Sequence, residues 1–267
     1  FALVKYTDVG AVDTSFGSSG KVVTNISGSN VDLIEDLVIQ SDGSIVAVGT
    51  STGTNSSIAV VRYSSSGALD SGFGSSGIVN TTLGGTFAMG TAVALQTNGQ
   101  IIIGGTRDDD FVVVRLNSSD GSLDTSFNSS GYNTADFTGR ADEGHGLVIQ
   151  SSGAIVIGGF ANQGDDQDFG IARFTSSGAL DSSFGSSGIA TADPSGGSND
   201  LAYALAEQST GALVLAGFSE MADEETTLAR FTADGVLDTT FGSSGTVVTS
   251  NPGLADFTYD LAVQPTD

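Results

Sequence analysis

Five copies of one block pattern run through the whole chain. A chain that repeats itself at a fixed period of this length folds as stacked copies of one supersecondary unit. The segments FALVKY (1–6), IAVVRY (58–63), FVVVRL (111–116), FGIARF (169–174) and TTLARF (226–231) each carry one basic residue. These are Lys5, Arg62, Arg115, Arg173 and Arg230, spaced 57, 53, 58 and 57 apart. A second block follows each of them: VDTSFGSSG, LDSGFGSSG, LDTSFNSSG, LDSSFGSSG and LDTTFGSSG. Its Asp recurs as Asp13, Asp70, Asp124, Asp181 and Asp238, and its Phe as Phe16, Phe73, Phe127, Phe184 and Phe241. A third block reads DLVIQSDGSIVAVG, AVALQTNGQIIIGG, GLVIQSSGAIVIGG and ALAEQSTGALVLAG, and begins again as DLAVQPTD. The copies, about 56 residues each, fall near 1–57, 58–109, 110–167, 168–225 and an incomplete 226–267, and together make one repeat domain, 1–267.

Within a copy the apolar runs are short, β-branched and bounded by Gly and Ser, which argues for strands and against helices. Four strands are expected per repeat. The first ends in Gln40, Gln96, Gln150, Gln208 or Gln264, and a tight turn leads into the second, SIVAVG or its equivalent. Asp42-Gly43 and Asn98-Gly99 predict two-residue hairpin turns with positive φ at both central residues. The third strand holds the basic residue, and the fourth is VVTN, IVNT, IATA or VVTS. Third strands that are apolar on both faces belong to sheets covered on both sides. Four-stranded sheets packed face to face meet that requirement, so the predicted fold is an all-β β-propeller of about five repeats.

The combination of ALAxQxDGxIVxxG, xxxxRYxxxGxLDxxFGxxG and a period in the mid-fifties resembles the delta-60 repeat family, over all five copies. That family is a bacterial β-propeller repeat of unassigned function found in large secreted or surface proteins. The resemblance implies the fold and an extracytoplasmic setting, and supplies no activity. Departures are few: Lys5 stands for Arg, and Asn128 for the first Gly of FGxxG, where Asn tolerates a left-handed backbone. The chain starts at a third strand and ends after a first one. It therefore reads as a window on a longer repeat protein of five to about seven blades. Were the ring to close here, 259–264 would join 1–6 and 21–26 in one incomplete blade.

The chemistry is bounded by what the chain lacks. Without cysteine there is no disulfide, thiol nucleophile or thiolate zinc site. With 31 acidic against 8 basic residues, a net charge of −23 disfavours nucleic acid and anionic membrane surfaces as partners. No apolar run approaches the ~18 residues that would span a membrane. The first residue is Phe1, so a signal peptide would lie outside this sequence.

The recurring Arg/Lys and Asp are expected to form a structural ion pair, since an unpaired charge in an apolar strand is costly. Phe16 and its counterparts are expected to plug the space between blades. Function is expected at the other end of the strands. There the loops STGTNSS, TRDDD, FANQGDDQD and FSEMADEE and the connections around 27–35, 83–90, 136–145, 193–200 and 250–258 all differ. More than half of the acidic residues lie in these segments, beside only Arg107 and Arg140. Variable loops on a rigid scaffold are where such folds bind.

Asp108, Asp109 and Asp110 occupy the loop equivalent to that of Asp165, Asp166 and Asp168 in the next repeat. These six are the candidate metal ligands, for calcium, which takes several carboxylate and carbonyl oxygens. No cofactor is required. His145 could act as a base beside Asp142 or Glu143, but its counterparts Glu35, Thr91, Tyr203 and Tyr259 scatter. Asp32, Asp142, Asp200 and Asp256 recur eight residues before the Gln, either as caps on the turn into the strand or as acids of a glycosidase. The expectation is a non-enzymatic, secreted or surface-bound adhesion or appendage module. Its partner would be a protein, a glycan or another copy of itself, met through the acidic face. A lectin-like propeller is the alternative, and a carboxylate glycosidase the third reading.

Overall fold

A computed structural model of the chain describes residues 1–26, 28, 31–221, 223–251 and 253–264. Among these every regular element is a strand. A two-stranded sheet pairs β1 (Ala2–Val4) with β2 (Lys21–Val23). Four antiparallel sheets follow, each with its strands in sequential order. The first holds β3 (Asp32–Ile39), β4 (Ile45–Ser51), β5 (Ser57–Tyr63) and β6 (Ile78–Thr81). The second holds β7 (Ala88–Leu95), β8 (Ile101–Arg107), β9 (Asp110–Leu116) and β10 (Tyr132–Ala135). The third holds β11 (Glu143–Ile149), β12 (Ile155–Asn162), β13 (Gln167–Phe174) and β14 (Ile189–Ala192). The fourth holds β15 (Asp200–Glu207), β16 (Leu213–Glu220), β17 (Glu224–Phe231) and β18 (Thr246–Thr249). Each repeat is thus four strands, as its alternation of strand and turn blocks dictates, and the architecture is that of a β-propeller repeat protein. Residues 255–264 form no strand, so β1 and β2 stand as a pair. Residues 265–267 of the fifth copy lie outside the described residues, as do parts of the connections at 27–30, 222 and 252.

Contacts divide the chain into two units: Phe1–Ile103 with Arg115–Asp124, and Gly104–Val114 with Thr125–Asp267. Within each, the middle strands form the core. All seven residues of β5 are buried, and β9 and β13 are buried along most of their length. This explains their apolar residues on both faces.

The hairpin after the conserved-spacing Gln differs from the expected two-residue turn. Among its residues only Gly43, Gly99, Gly153 and Gly211 have positive φ, at 84°, 85°, 83° and 83°. The Gln40 N–H bonds the Ser44 carbonyl at 2.8 Å, and Asp42 Oδ1 accepts the Ser44 N–H at 2.8 Å. Asp42 therefore stays right-handed because its side chain satisfies the backbone locally. A three-residue loop with a single left-handed Gly results.

The Arg/Asp/Phe blocks form one clip per repeat. In the first unit, the Arg62 guanidinium pairs with Asp70 at 2.8 Å and lies 4.4 Å from the centre of the Phe73 ring. Its other nitrogens donate to the backbone carbonyls of Ser118 and Ser119 in the next copy. In the second unit, Arg173 pairs with Asp181 at 2.8 Å, stacks 4.6 Å from Phe184, and donates to the Ala233 carbonyl at 2.7 Å. Arg115 with Asp124, Arg230 with Asp238 and Lys5 with Asp13 repeat the pair. The expected structural ion pair is present in every copy, and at Arg62 and Arg173 it is also a joint to the next copy.

The plug residues Phe16, Phe73, Phe127 and Phe184 are at most 1% exposed. Each fits against a Gly of the following copy: Gly67, Gly121, Gly178 and Gly235, respectively. Asn128 adopts φ 46°, close to the 53° of Gly17 and Gly74 at the same place, so its turn is kept.

Gly178 tests the plug. A Cβ there would lie 2.8 Å from the Phe127 ring, on a backbone at φ +89°. At Gly153 the φ is +83°, but a Cβ meets only Ser176 Cβ at 3.4 Å. Gly153→Ala should therefore cost only the left-handed strain, about 1–2 kcal/mol. Gly178→Ala should cost roughly 1–3 kcal/mol more, because the ring must move in a packed interior. Urea unfolding of the two variants reads the difference, and equal losses would mean that the ring is not a plug.

Candidate functional site

The strand ends opposite the clip carry the variable loops, and two structural devices arrange them. The first is a β-bulge in the leading strand of the repeat. Register shifts insert Glu35 between Ile34 and Asp36, His145 between Gly144 and Gly146, and Tyr203 between Ala202 and Ala204. A bulge leaves one residue out of the ladder and re-aims its side chain. The facing residues are Gly49, Gly159 and Gly217, where a Cβ would overlap the carbonyl oxygen of Leu33, Glu143 or Leu201. The Gly nine residues after each Gln is therefore the sequence trace of the bulge.

In the second unit the bulged side chains open an aromatic row. His145 stacks on Phe160 at 5.3 Å and meets Tyr203 at 4.7 Å. Tyr203 stacks on Phe218 at 5.6 Å and touches Tyr259 edge-on at 5.2 Å. Phe257 and Tyr259 at the end of the row are 50% and 63% exposed, whereas Phe160 and Phe218 are buried. His145 Nε2 lies 3.6 Å from Glu143 Oε2, beyond hydrogen-bond reach, and has no hydrogen-bond partner. The imidazole is thus a stacking element here, with neither Asp142 nor Glu143 placed to orient it as a base.

The second device is the Asp that opens the leading strand. Asp32 accepts the Ile26 N–H and the Ser51 hydroxyl. Asp142 accepts the Phe137 N–H at 3.1 Å and the Asn162 N–H at 2.9 Å. Asp200 accepts from Ser195 and from the Ser219 hydroxyl, and Asp256 accepts from the Asn251 amide. Each ties the incoming connection to the strand, which is the capping role. Asp142 and Asp200 are fully buried, and burial outweighs these hydrogen bonds. Both carboxyls are pushed up to about 6.

The six candidate metal ligands are distributed unevenly. Asp108 and Asp109 form the tight turn between β8 and β9, at φ 45° and 74°, a left-handed pair that Asp tolerates better than most residues. Asp108 also pairs with Arg107 at 3.4 Å. Asp110 joins a different group, with Asp136 and Asp142. Asp166 and Asp168 are grouped with Asp193, while Asp165 is exposed and in neither group. In each group, one carboxylate oxygen per residue lies within 4.8 Å of the others.

Asp136 and Asp193 were not among the sequence candidates. They follow Thr-Ala at the end of the fourth strand, in Thr134-Ala135-Asp136 and Thr191-Ala192-Asp193. Each accepts the N–H of a Gly three residues on, Gly139 or Gly196. The shared Thr-Ala-Asp-x-x-Gly was the available signal.

These repeats, sheets and clips define a β-propeller repeat protein with a structurally uniform end and an acidic, variable end. The family model described as domain of unknown function (DUF5122) beta-propeller matches residues 40–73, 96–127, 150–184 and 208–241, just over half of the chain. The chain belongs to that family. Each match starts at the Gln and ends at or near the plug Phe, so it spans the hairpin, the third strand and the clip. A search of curated proteins gave no significant match.

Among solved structures, the chain is similar to an endo-1,4-beta-xylanase from Bacteroides thetaiotaomicron VPI-5482. The identity is 13% and the TM-score 0.45, over 85% of this chain and 77% of that one. The tail fiber of a Staphylococcus aureus phage matches at 12% identity and TM-score 0.39, over 78% of this chain and 38% of that one. A catalytically inactive virginiamycin B lyase from Staphylococcus aureus, solved with quinupristin, matches at 14% and 0.35, over 87% and 81%.

The buried caps predict an unusual pH response. The folded state holds Asp142 at about 6, above its ordinary 3.8, so it binds a proton more tightly than the unfolded chain. In EDTA, stability should therefore rise as the pH falls from 7.5 to 5. Asp181 is held below 3.8 by the Ser183 hydroxyl and by Arg173. Its contribution is present above that value and is lost on further acidification. Urea midpoints across pH 3–8 should trace a maximum near pH 5, and Asp142→Asn should make the limb between pH 5 and 7.5 shallower, leaving the shares of Asp200 and Asp168.

Proposed function

We propose that this chain, its repeats of the delta-60 kind, is a non-catalytic scaffold module of a secreted or surface-displayed bacterial protein. It meets a protein or glycan partner through the variable end of its strands. The observation that supports this reading is the contrast between the two ends. At one end, every copy commits its basic residue to structure: Lys5, Arg62, Arg115, Arg173 and Arg230 all pair with an Asp of their own copy, and Arg62 and Arg173 also bond the next copy. At the other end the loops differ from copy to copy and carry an excess of carboxylates. An ion pair repeated in every copy is scaffold, and the sequence-variable end is free to specialise.

The buried Asp142 and Asp200 argue against the glycosidase reading. Both oxygens of each accept hydrogen bonds, which suits a cap better than an acid or nucleophile facing a sugar. Carbohydrate binding without hydrolysis remains the second reading. It is favoured by the aromatic row that ends in exposed Phe257 and Tyr259, since flat aromatic faces stack on sugar rings.

A charge-neutralised set at the variable end, Asp165→Asn with Glu220→Gln and Glu224→Gln, separates these readings from mere surface charge. Binding to bacterial cells, matrix protein or an arrayed glycan should fall at least tenfold in this set. It should be unchanged in a matched set at the opposite end, Asp42→Asn with Asp120→Asn and Asp234→Asn. Equal losses in both sets would reduce the acidity to non-specific charge, and turnover of any glycoside in a substrate panel would overturn the non-catalytic assignment. If the partner is a glycan, Tyr259→Ala should abolish binding with little change in unfolding midpoint, because that ring is mostly exposed.

A further inference from the structure

Of the two acidic groups at the variable end, only one holds, among the described residues, a buried carboxylate oxygen with no hydrogen-bond partner. In the group of Asp110, Asp136 and Asp142, the Asp142 oxygens take the N–H groups of Phe137 and Asn162. Burial, followed by the charges of Asp136 and Asp109, pushes the Asp110 carboxyl up, and Arg107, which pairs with Asp108, offsets part of this. In the first sheet the residue at the place of Asp110 and Asp168 is the neutral Ser57. Its hydroxyl is fully used, between the Ser51 carbonyl and Asn80 Oδ1. Asp168, at the same place in the third sheet, has no such arrangement around it. Its side chain belongs to a residue only 8% exposed, and Oδ1 is buried with no hydrogen-bond partner. Among the described residues, no Lys, Arg or His forms an ion pair with Asp166, Asp168 or Asp193.

A buried carboxylate oxygen without a donor, beside two further carboxylates, is costly unless a cation answers it. We propose that Asp166, Asp168 and Asp193 form a calcium site joining the start of β13 and the loop before it to the connection that leads into β15. One oxygen from each of the three lies within 4.8 Å of the others. Two oxygens bound to a single Ca²⁺ at about 2.4 Å can be at most about 4.8 Å apart, so no pair in the group is too widely spaced to share one ion.

An all-oxygen set suits a hard cation rather than zinc, and three carboxylates leave coordination positions for carbonyl oxygens and water. Calcium is favoured over magnesium because the ligands come from two separate segments, the start of β13 with the loop before it and the connection after β14. Such a site meets an irregular shell of six to eight oxygens more readily than a strict octahedron. Asp193 is held in place by the Gly196 N–H on Oδ1 at 2.6 Å, which leaves its other oxygen uncommitted to that turn. Burial, followed by the charges of Asp193, Asp166 and Asp200, pushes the Asp168 carboxyl up to about 7. The site lies at the variable end, where it would fix the geometry of the connection before β15.

The test uses the full chain in EDTA, CaCl₂, MgCl₂ and NaCl at matched ionic strength, with titration calorimetry for stoichiometry. Calcium at a hundredfold over its Kd should raise the unfolding midpoint by roughly 5 °C or more, with one ion per chain held through these three residues. Magnesium and sodium should produce no comparable rise. Asp168→Asn, which keeps the shape and removes the charge, should raise the midpoint in EDTA and abolish the calcium response. A merely misfolded variant would instead lower the midpoint in EDTA. Asp193→Asn should weaken calcium binding at least tenfold, and Asp110→Asn should leave it unchanged. The proposal is overturned if Asp168→Asn retains the wild-type calcium shift, if all salts act alike, or if Asp110→Asn alone removes the response.

Discussion

The guanidinium of Arg62 or Arg173 touches three things at once: a carboxylate of its own repeat, the face of its own repeat's Phe, and backbone carbonyls of the next repeat. Much else in the structure follows from this contact. Arg is suited to it because a planar fork can pair with a carboxylate at its edge while stacking on a ring with its face. The ring so held is the plug, and the following copy must offer it a Gly because a Cβ would strike it. One interaction thus links the Arg, the Asp, the Phe and the Gly, and explains why these residue types recur from copy to copy with a single exchange. Where Lys5 takes the place of Arg, the ion pair persists at 3.2 Å and the ring contact lengthens to 5.9 Å. That is the geometry expected of a point charge without a stacking plane.

Fixing one end of every sheet frees the other. The leading strands carry a bulge close to their free ends, and the residue it extrudes is Glu35, His145 or Tyr203 according to the copy. The bulge recurs in the first, third and fourth sheets because it is written in the backbone, through the Gly opposite it. The identity of the extruded side chain is therefore open to change at no cost to the fold. The same holds for the capping Asp. It secures the connection by hydrogen bonds to backbone N–H groups, so the connection's own side chains are unconstrained. A scaffold of this kind separates the residues that build from the residues that specialise.

The fold was legible in the sequence to a large extent, and the reason is the repetition itself. Strand boundaries, the structural role of the Arg–Asp pair and the burial of Phe16, Phe73, Phe127 and Phe184 follow from patterns seen four or five times over. The turn at Asp42-Gly43 was less legible. The Asp side chain takes the backbone N–H two residues on, so one left-handed residue suffices. The left-handed pair occurs instead at Asp108-Asp109, where the sequence suggested ligands. Charge alone could not separate an Asp that shapes a turn from an Asp that faces a cation.

The local sequence decided what each copy would be: four strands, a Gly-dependent hairpin, a clip and a bulge. These depend on contacts within about 56 residues or on positions one period apart, and such contacts leave a regular trace. The tertiary structure alone decided which carboxylates meet. Asp168 and Asp193 stand 25 positions apart on segments that the chain order does not bring together. They converge only because β13 and β14 pair antiparallel and place the end of one beside the start of the other. Whether a buried oxygen finds a donor there depends on the loops that cross that strand end. Those loops are the part of the repeat in which the sequence does not repeat.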